Sequence, residues 1–139
     1  MTTSATELLQ RARGRIRRVE PHELEAIRAL GGLLIDIRPS RQRWEEGALP
    51  GAICVERNVL EWRLDPGGEH RIPQVTGPEQ AVVLICSEGY ASSLAAASLK
   101  DMGYEQAADL VGGYRAWRRG QVEEGRSSVV AAAPVATAP

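Results

Sequence analysis

The sequence predicts an open α/β fold with a mostly parallel sheet, contained in one domain. Three observations carry this. Continuous apolar runs at residues 33–37 and 81–85 read as strands covered on both faces. Segments of helical periodicity stand between the runs. Glycine and proline mark the joints, as in Gly31-Gly32, Pro50-Gly51, Pro66-Gly67-Gly68 and Gly112-Gly113. A chain of 139 residues suits one such domain with a sizeable core.

The elements follow in order. Ser4 and Glu7 have the spacing of a capping box, so a helix is expected over 5–12, with Leu8 and Leu9 inward. Residues 1–15 are read as a helical extension, 16–120 as the α/β domain, and 121–139, rich in alanine and proline, as a disordered tail. The arginines from Arg11 to Arg18 read as a solvated helix end leading into an edge strand at 16–19. Pro21 suits the first turn of a second helix, whose apolar face is Leu24, Ile27, Ala29 and Leu30. Gly31-Gly32 ends it.

The run at 33–37 carries one carboxylate, Asp36, which is costly to bury alone. Its partner is Arg38 or the N–H groups of a neighbouring loop. A short helix over 41–46 follows Pro39 and Ser40, with Trp44 packed inward and Gly47 as its stop. Residues 52–55 form another strand, in which Cys54 reads as a small core residue. A helical turn at 59–64 points Leu60 and Leu64 to the core, and 69–78 reads as a surface loop. After the strand at 81–85 and its helix, Gly103 stops the chain, and residues 107–111 form the last strand. A helix over 114–119, built around Trp117, closes the domain. His22 and His70 stand in no metal-ligand pattern, and no metal or organic cofactor is implied.

Composition narrows the function classes. The formal net charge is −1, and the basic run has no interleaved aromatics, so neither nucleic acid nor a membrane surface is indicated. No apolar run is long enough to span a bilayer, and the first 15 residues lack the apolar core of a signal peptide. A cytoplasmic protein is expected. Its two cysteines, Cys54 and Cys86, are too few for a disulfide framework or a cysteine zinc site.

In such sheets ligands sit at the carboxyl ends of the strands. That rule gathers Asp36, Arg38, Glu56, Arg57, Asn58, Cys86 and Gly112-Gly113 at one end of the molecule. Cys86 is the chemical focus. A thiol between a strand end and a helix N-terminus meets unpaired N–H groups and the positive end of the helix dipole. Cysteines so placed have pKa values of roughly 3.5 to 7.5. The loop Ser87, Glu88, Gly89, Tyr90, Ala91, Ser92 would curl around the sulfur as an anion-binding nest, with Gly89 allowing the bend.

Three chemistries compete for that nest. A cysteine phosphatase needs an arginine six positions after the nucleophile, where Ser92 stands, and there is no arginine between Cys86 and Tyr114. A dithiol redox site needs a second cysteine two or three residues away. Sulfur transfer needs a thiolate and a leaving group but no separate base, and this loop meets those requirements.

Four stretches together resemble the single-domain rhodanese-like sulfurtransferases: LIDIR at 34–38, GALPGA at 47–52, CSEGYASS at 86–93 and LVGGYRAW at 110–117. The likeness runs from about Pro21 to Gly120. It implies a five-stranded parallel sheet flanked by helices on both faces. It also implies a Cys86 persulfide held by loop N–H groups, with a small sulfane-sulfur donor and a thiophilic acceptor as partners. The chain departs from the family pattern at Ala91, where a loop arginine is usual, and at Ala48, where a histidine is. Arg38 or Arg57, from adjacent strand ends, is the expected replacement for the missing charge, with Arg57 as a plain surface arginine the alternative. A non-catalytic sulfur-carrier or binding module is the second functional expectation. A redox sensor, with Cys54 resolving an oxidised Cys86, is the third.

Overall fold

The computed structural model describes residues 1–125. Five strands form one parallel sheet: β1 (Arg17–Val19), β2 (Leu33–Asp36), β3 (Ile53–Cys54), β4 (Val82–Ile85) and β5 (Ala107–Leu110), in the order β1-β5-β4-β2-β3. Six helices accompany them: α1 (Ala5–Arg13), α2 (Leu24–Ala29), α3 (Ser40–Glu46), α4 (Leu60–Arg63), α5 (Ala91–Asp101) and α6 (Gly113–Gly125). The expected α/β architecture and its five parallel strands are present.

Alternation along the buried strands divides the core in two. Leu33 and Ile35 of β2 and Val82 and Leu84 of β4 face Leu60, Leu64, Ala95 and Leu99, on the side of α4 and α5. Leu34, Val83, Ile85, Ala108 and Leu110 face Leu24, Leu49 and Tyr114, on the side of α2 and α6. Both faces of β2, β4 and β5 are covered, which is why these strands do not alternate apolar with polar and read as apolar runs, interrupted only by Asp36 and Asp109. β4 is the central strand, so the loop after it opens in the middle of the sheet's carboxyl end.

Ser4 and Glu7 close the expected capping box on α1. The helix packs on α5 with Ala12 buried, while Leu9 is half-buried and Leu8 lies in solvent rather than inward. Only Leu24 of the apolar face expected for α2 is buried; Leu30 falls beyond the helix end, where the chain turns, and is exposed. Trp44 is 65% exposed and Arg43 takes the inward position, donating to the Arg38 carbonyl at 2.6 Å. The polar end of a helix with no other inward apolar residue thus faces the core through a hydrogen bond.

Cys54 is exposed, because β3 is a two-residue edge strand with β2 on one side only; Val55 is the buried residue there. The segment over 69–78 is not wholly superficial, since Ile72 and Val75 are tucked into the core beside Leu64. α6 continues to Gly125, past the expected end at Arg119 and into the stretch expected to be disordered; the rest of that expected tail, 126–139, lies outside the described residues. No helix among the described residues is long and apolar enough to cross a membrane.

Candidate active site

β4 delivers Cys86 to the centre of the sheet's carboxyl end, where it is 8% exposed. The following loop turns back over the sulfur. The N–H groups of Gly89 and Ser92 donate to Cys86 Sγ at 3.1 and 3.3 Å, and the Ser92 hydroxyl lies 3.2 Å from it. Gly89 holds φ at +90°, and a β-carbon there would come within 2.9 Å of the Gly112 nitrogen. The Gly112-Gly113 turn fits against it from the other side. The N–H groups of Tyr114 and Arg115, opening α6, donate to the carbonyls of Cys86 and Ser87 at 2.8 and 3.1 Å. The two glycine motifs therefore fit together backbone to backbone, and α6 spends its first N–H groups on fixing the loop.

A pocket of about 450 Å³ opens over the sulfur. The segment after β2 gives it Ile37, Arg38, Pro39 and Gln42; the segment after β3 gives Glu56, Arg57 and Asn58; Ala91 sits at its rim. The gathering of strand-end residues expected from the sequence is thus observed for Arg38, Glu56, Arg57, Asn58 and Cys86. A separate hollow of about 410 Å³ is lined by Ser40, Arg41, Trp44 and Glu45, with no cysteine among them.

Asp36 and Arg38 form a buried pair beside the pocket. The Arg38 guanidinium is buried, bonds both oxygens of Asp36, reaches Glu46 Oε1 at 3.1 Å and the Gly47 carbonyl at 2.9 Å, and lies 4.1 Å from the centre of the Tyr114 ring. Burial alone would lower its proton affinity, but the Asp36 and Glu46 carboxylates outweigh that and raise it. Arg38 thus lines the pocket as expected, with its guanidinium donors engaged by Asp36, Glu46 and the Gly47 carbonyl. Asp36 is its buried counter-ion and does not reach the sulfur's side of the strand.

The loop side chains also divide. Ser87 donates to Glu46 Oε1 at 2.8 Å or to Gln42 Oε1 at 3.0 Å. Burial pushes the Glu46 carboxyl up, but hydrogen bonds from Ser87, Arg38 and Arg115 more than reverse this and hold it below the usual glutamate value. Glu88 is exposed and turned to Arg115, 3.1 Å away, which neutralises part of its charge. Tyr90 is exposed, with the Arg13 guanidinium 5.6 Å from its ring centre. Ser92 is fully buried beneath the sulfur. Arg57 stands on the pocket wall, bound through one nitrogen to both oxygens of Glu61 at 3.0 Å.

Three residues at this site were not singled out from the sequence. Arg13 donates to the Gly89 carbonyl at 2.7 Å and to Ser93 Oγ at 3.0 Å. Arg18 reaches the same carbonyl at 3.1 Å and bonds Asp109 at 2.9 Å. Asp109, in β5, is completely buried behind Ser92. Arg11, Arg15 and Arg17 of the basic run are exposed and lead into the edge strand β1 as expected, while Arg13 and Arg18 turn inward to anchor the loop. A carboxylate in the otherwise apolar run of β5 was the available signal, by the argument that marked Asp36.

The Rhodanese-like domain family matches residues 20–119. Among curated proteins, the chain is 29% identical over 103 residues to "Adenylyltransferase and sulfurtransferase UBA4" of Meyerozyma guilliermondii, covering 72% of this chain and 23% of that protein. It therefore spans about a quarter of that relative's length. It is 25% identical over 102 residues to the thiosulfate sulfurtransferase GlpE of Pseudomonas syringae pv. syringae, covering 73% of this chain and 87% of that one. Among solved structures, RPA3614 of Rhodopseudomonas palustris, a protein of unknown function described as a possible tyrosine phosphatase, superposes with a TM-score of 0.78. That pair is 28% identical over 86% of this chain and 92% of the other. The matched residues take in β2 through the first half of α6, the cysteine loop and the glycine turn that supports it, and this chain belongs to the Rhodanese-like domain family.

Proposed function

We propose that the protein is a sulfurtransferase that carries sulfane sulfur as a persulfide on Cys86. The observation that supports this most is the sulfur's setting: two loop N–H groups and one hydroxyl surround Cys86 Sγ, beneath a pocket able to admit a small donor. Such a nest favours thiolate over thiol. The thiolate attacks the outer sulfur of the donor. A new S–S bond forms, the donor's own bond to that sulfur breaks, and the leaving group departs with the electron pair, as sulfite when the donor is thiosulfate. A thiophilic acceptor then attacks the outer sulfur of the persulfide, and Cys86 returns as thiolate. Thiosulfate, from which the GlpE relative takes its name, and organic persulfides are the candidate donor classes. We place the reaction in the cytoplasm, where both thiols stay reduced.

The same geometry weighs against the rival chemistries. A phosphate monoester needs an arginine where Ser92 stands, and Ser92 is instead buried against a carboxylate. Cys54 pairs with Asp36 in β2, while Ile85, next to Cys86, pairs with the same residue from the opposite side. Two strand spacings, about 10 Å, thus separate the two cysteines, beyond the reach of a disulfide.

The test is intact-mass measurement after incubation with thiosulfate or a small organic persulfide. A gain of one sulfur, lost in Cys86→Ser and removed by cyanide or a thiol, is the expected result. Absence of sulfur gain with every donor would overturn the proposal. Loading without release to an acceptor would favour the sulfur-carrier alternative.

A further inference from the structure

Beneath Cys86 lies a second layer of polar groups, of which the sulfur-transfer reading uses only the Ser92 hydroxyl. Asp109 Oδ2 accepts from Ser92 Oγ at 2.8 Å and from Ser93 Oγ at 2.7 Å. Arg18 holds the same carboxylate through Nε to Oδ1 at 2.9 Å and Nη2 to Oδ2 at 3.2 Å. Ser92 Oγ is at once 3.2 Å from Cys86 Sγ.

A serine hydroxyl has one hydrogen to give. With Cys86 as thiol, S–H donates to Ser92 Oγ and Ser92 donates onward to Asp109. With Cys86 as thiolate, no hydrogen remains between sulfur and oxygen unless the Ser92 hydroxyl turns toward the sulfur. Asp109 then keeps only Ser93 and Arg18. Sulfur and carboxylate compete for one hydrogen, and the strength of the carboxylate's claim depends on Arg18.

Resting on the reading of Cys86 as the nucleophile, we infer that Ser92, Asp109 and Arg18 form a positioning unit that sets the ionisation of Cys86. Ser92 is the shared donor, Asp109 the competitor and Arg18 the charge that releases the donor to the sulfur. The unit makes no covalent step. Other charged groups near the sulfur act from further out: Arg13 on the Gly89 carbonyl and Ser93, the Glu88–Arg115 pair, and Glu56 and Arg57 on the pocket wall. Arg38 contributes to the pocket wall with its guanidinium locked on Asp36 and Glu46.

The experiment is the pH profile of iodoacetamide alkylation of Cys86, in the full chain carrying Cys54→Ser. Ser92→Ala removes a donor to the thiolate and moves the half-alkylation pH upward. Arg18→Gln leaves the Asp109 anion uncompensated and moves it upward as well. Asp109→Asn leaves the Arg18 charge alone and moves it downward. Each shift is expected to be about one pH unit, the size of a nearby charge or hydrogen bond. Arg18→Lys keeps the charge and stays near the parent. A purely structural role would not produce opposite signs.

An unchanged midpoint in Ser92→Ala, whose folding is checked by circular dichroism, would overturn the inference even if the charge variants fail to fold. So would an upward shift in a folded Asp109→Asn. Alkylation needs no sulfur donor. A protein that shifts as expected but loads no sulfur therefore supports this unit while overturning the proposed function.

Discussion

The α-carbon of Gly113 presses on the main chain of Cys86: a β-carbon added there would lie 2.5 Å from the Cys86 carbonyl oxygen and 2.6 Å from the Ser87 carbonyl carbon. Gly113 also holds φ at +66°. Gly113→Ala is expected to lower the unfolding free energy by at least about 3 kcal/mol, joining left-handed strain to a backbone clash. Gly31→Ala, at φ +96° but with nothing near its added carbon, should cost only about 1–2 kcal/mol. Urea denaturation of both variants checks this, and equal losses would discredit the close-packing account.

Arg38 and Asp36 are a buried pair, with side-chain exposures of 0% and 1%. Removing one partner leaves the other charged, desolvated and without its counter-ion. Arg38→Met should destabilise the fold by about 3–5 kcal/mol. The double variant Asp36→Leu/Arg38→Met should recover part of that loss. A loss under about 1 kcal/mol in the single variant would show that Arg38 is not the structural hub described above.

The Glu46 carboxyl is held below its ordinary value by Ser87, Arg38 and Arg115, against the opposing effect of burial. The folded chain therefore keeps this carboxylate at acid pH values where the unfolded chain binds a proton. Its contribution is fully present above the unfolded value, near 4.5, and is lost as pH falls through the lower folded value. Stability should thus fall on acidification below about pH 4.5, and Glu46→Gln should make that part of the curve shallower. Denaturation midpoints measured between about pH 3 and 6 decide the matter.

Arg57 is the cation on the pocket wall whose guanidinium is not locked inside the fold, although Glu61 shares it. If it receives an anionic donor, Arg57→Ala should raise the donor concentration for half-saturation about threefold, the scale of an exposed charge contact. Unchanged saturation would return Arg57 to the role of a surface arginine.

Ala91 sits at the pocket rim on the first turn of α5, next to the sulfur's cradle. An arginine there would face the pocket from the helix N-terminus. Ala91→Arg is expected to raise the rate of sulfur loading from thiosulfate by about tenfold, equivalent to 1.4 kcal/mol. Loading from an uncharged organic persulfide should change far less. Release of sulfite and gain of mass follow the two donors separately.

Much of this was legible in the chain itself. Strand existence followed from apolar runs, because strands buried on both faces leave no room for alternation. The thiol's loop followed from Cys86, Gly89 and the helix former after it. Leu60 and Leu64 reached the core as their spacing indicated. Trp44 and Cys54 did not, because the sequence shows that a residue is apolar but not whether the sheet continues beside it. β3 is an edge, and α3 turns Arg43 inward.

The sequence by itself determined the local features: the strands, the capping box, the glycine joints and the place of Cys86 between a strand and a helix. Each depends on residues within a few positions of one another. Only the tertiary structure decided which charges serve the site. Arg13 and Arg18 stand 76 and 71 positions from the Gly89 carbonyl they hold, and Arg18 stands 91 positions from Asp109. The pairing of β1 with β5 brings that arginine and that carboxylate together. The same folding locks the guanidinium of Arg38, on the pocket wall, to Asp36 and Glu46. Electrostatic roles follow distance and burial in space, and those exist only once the parallel strands have paired.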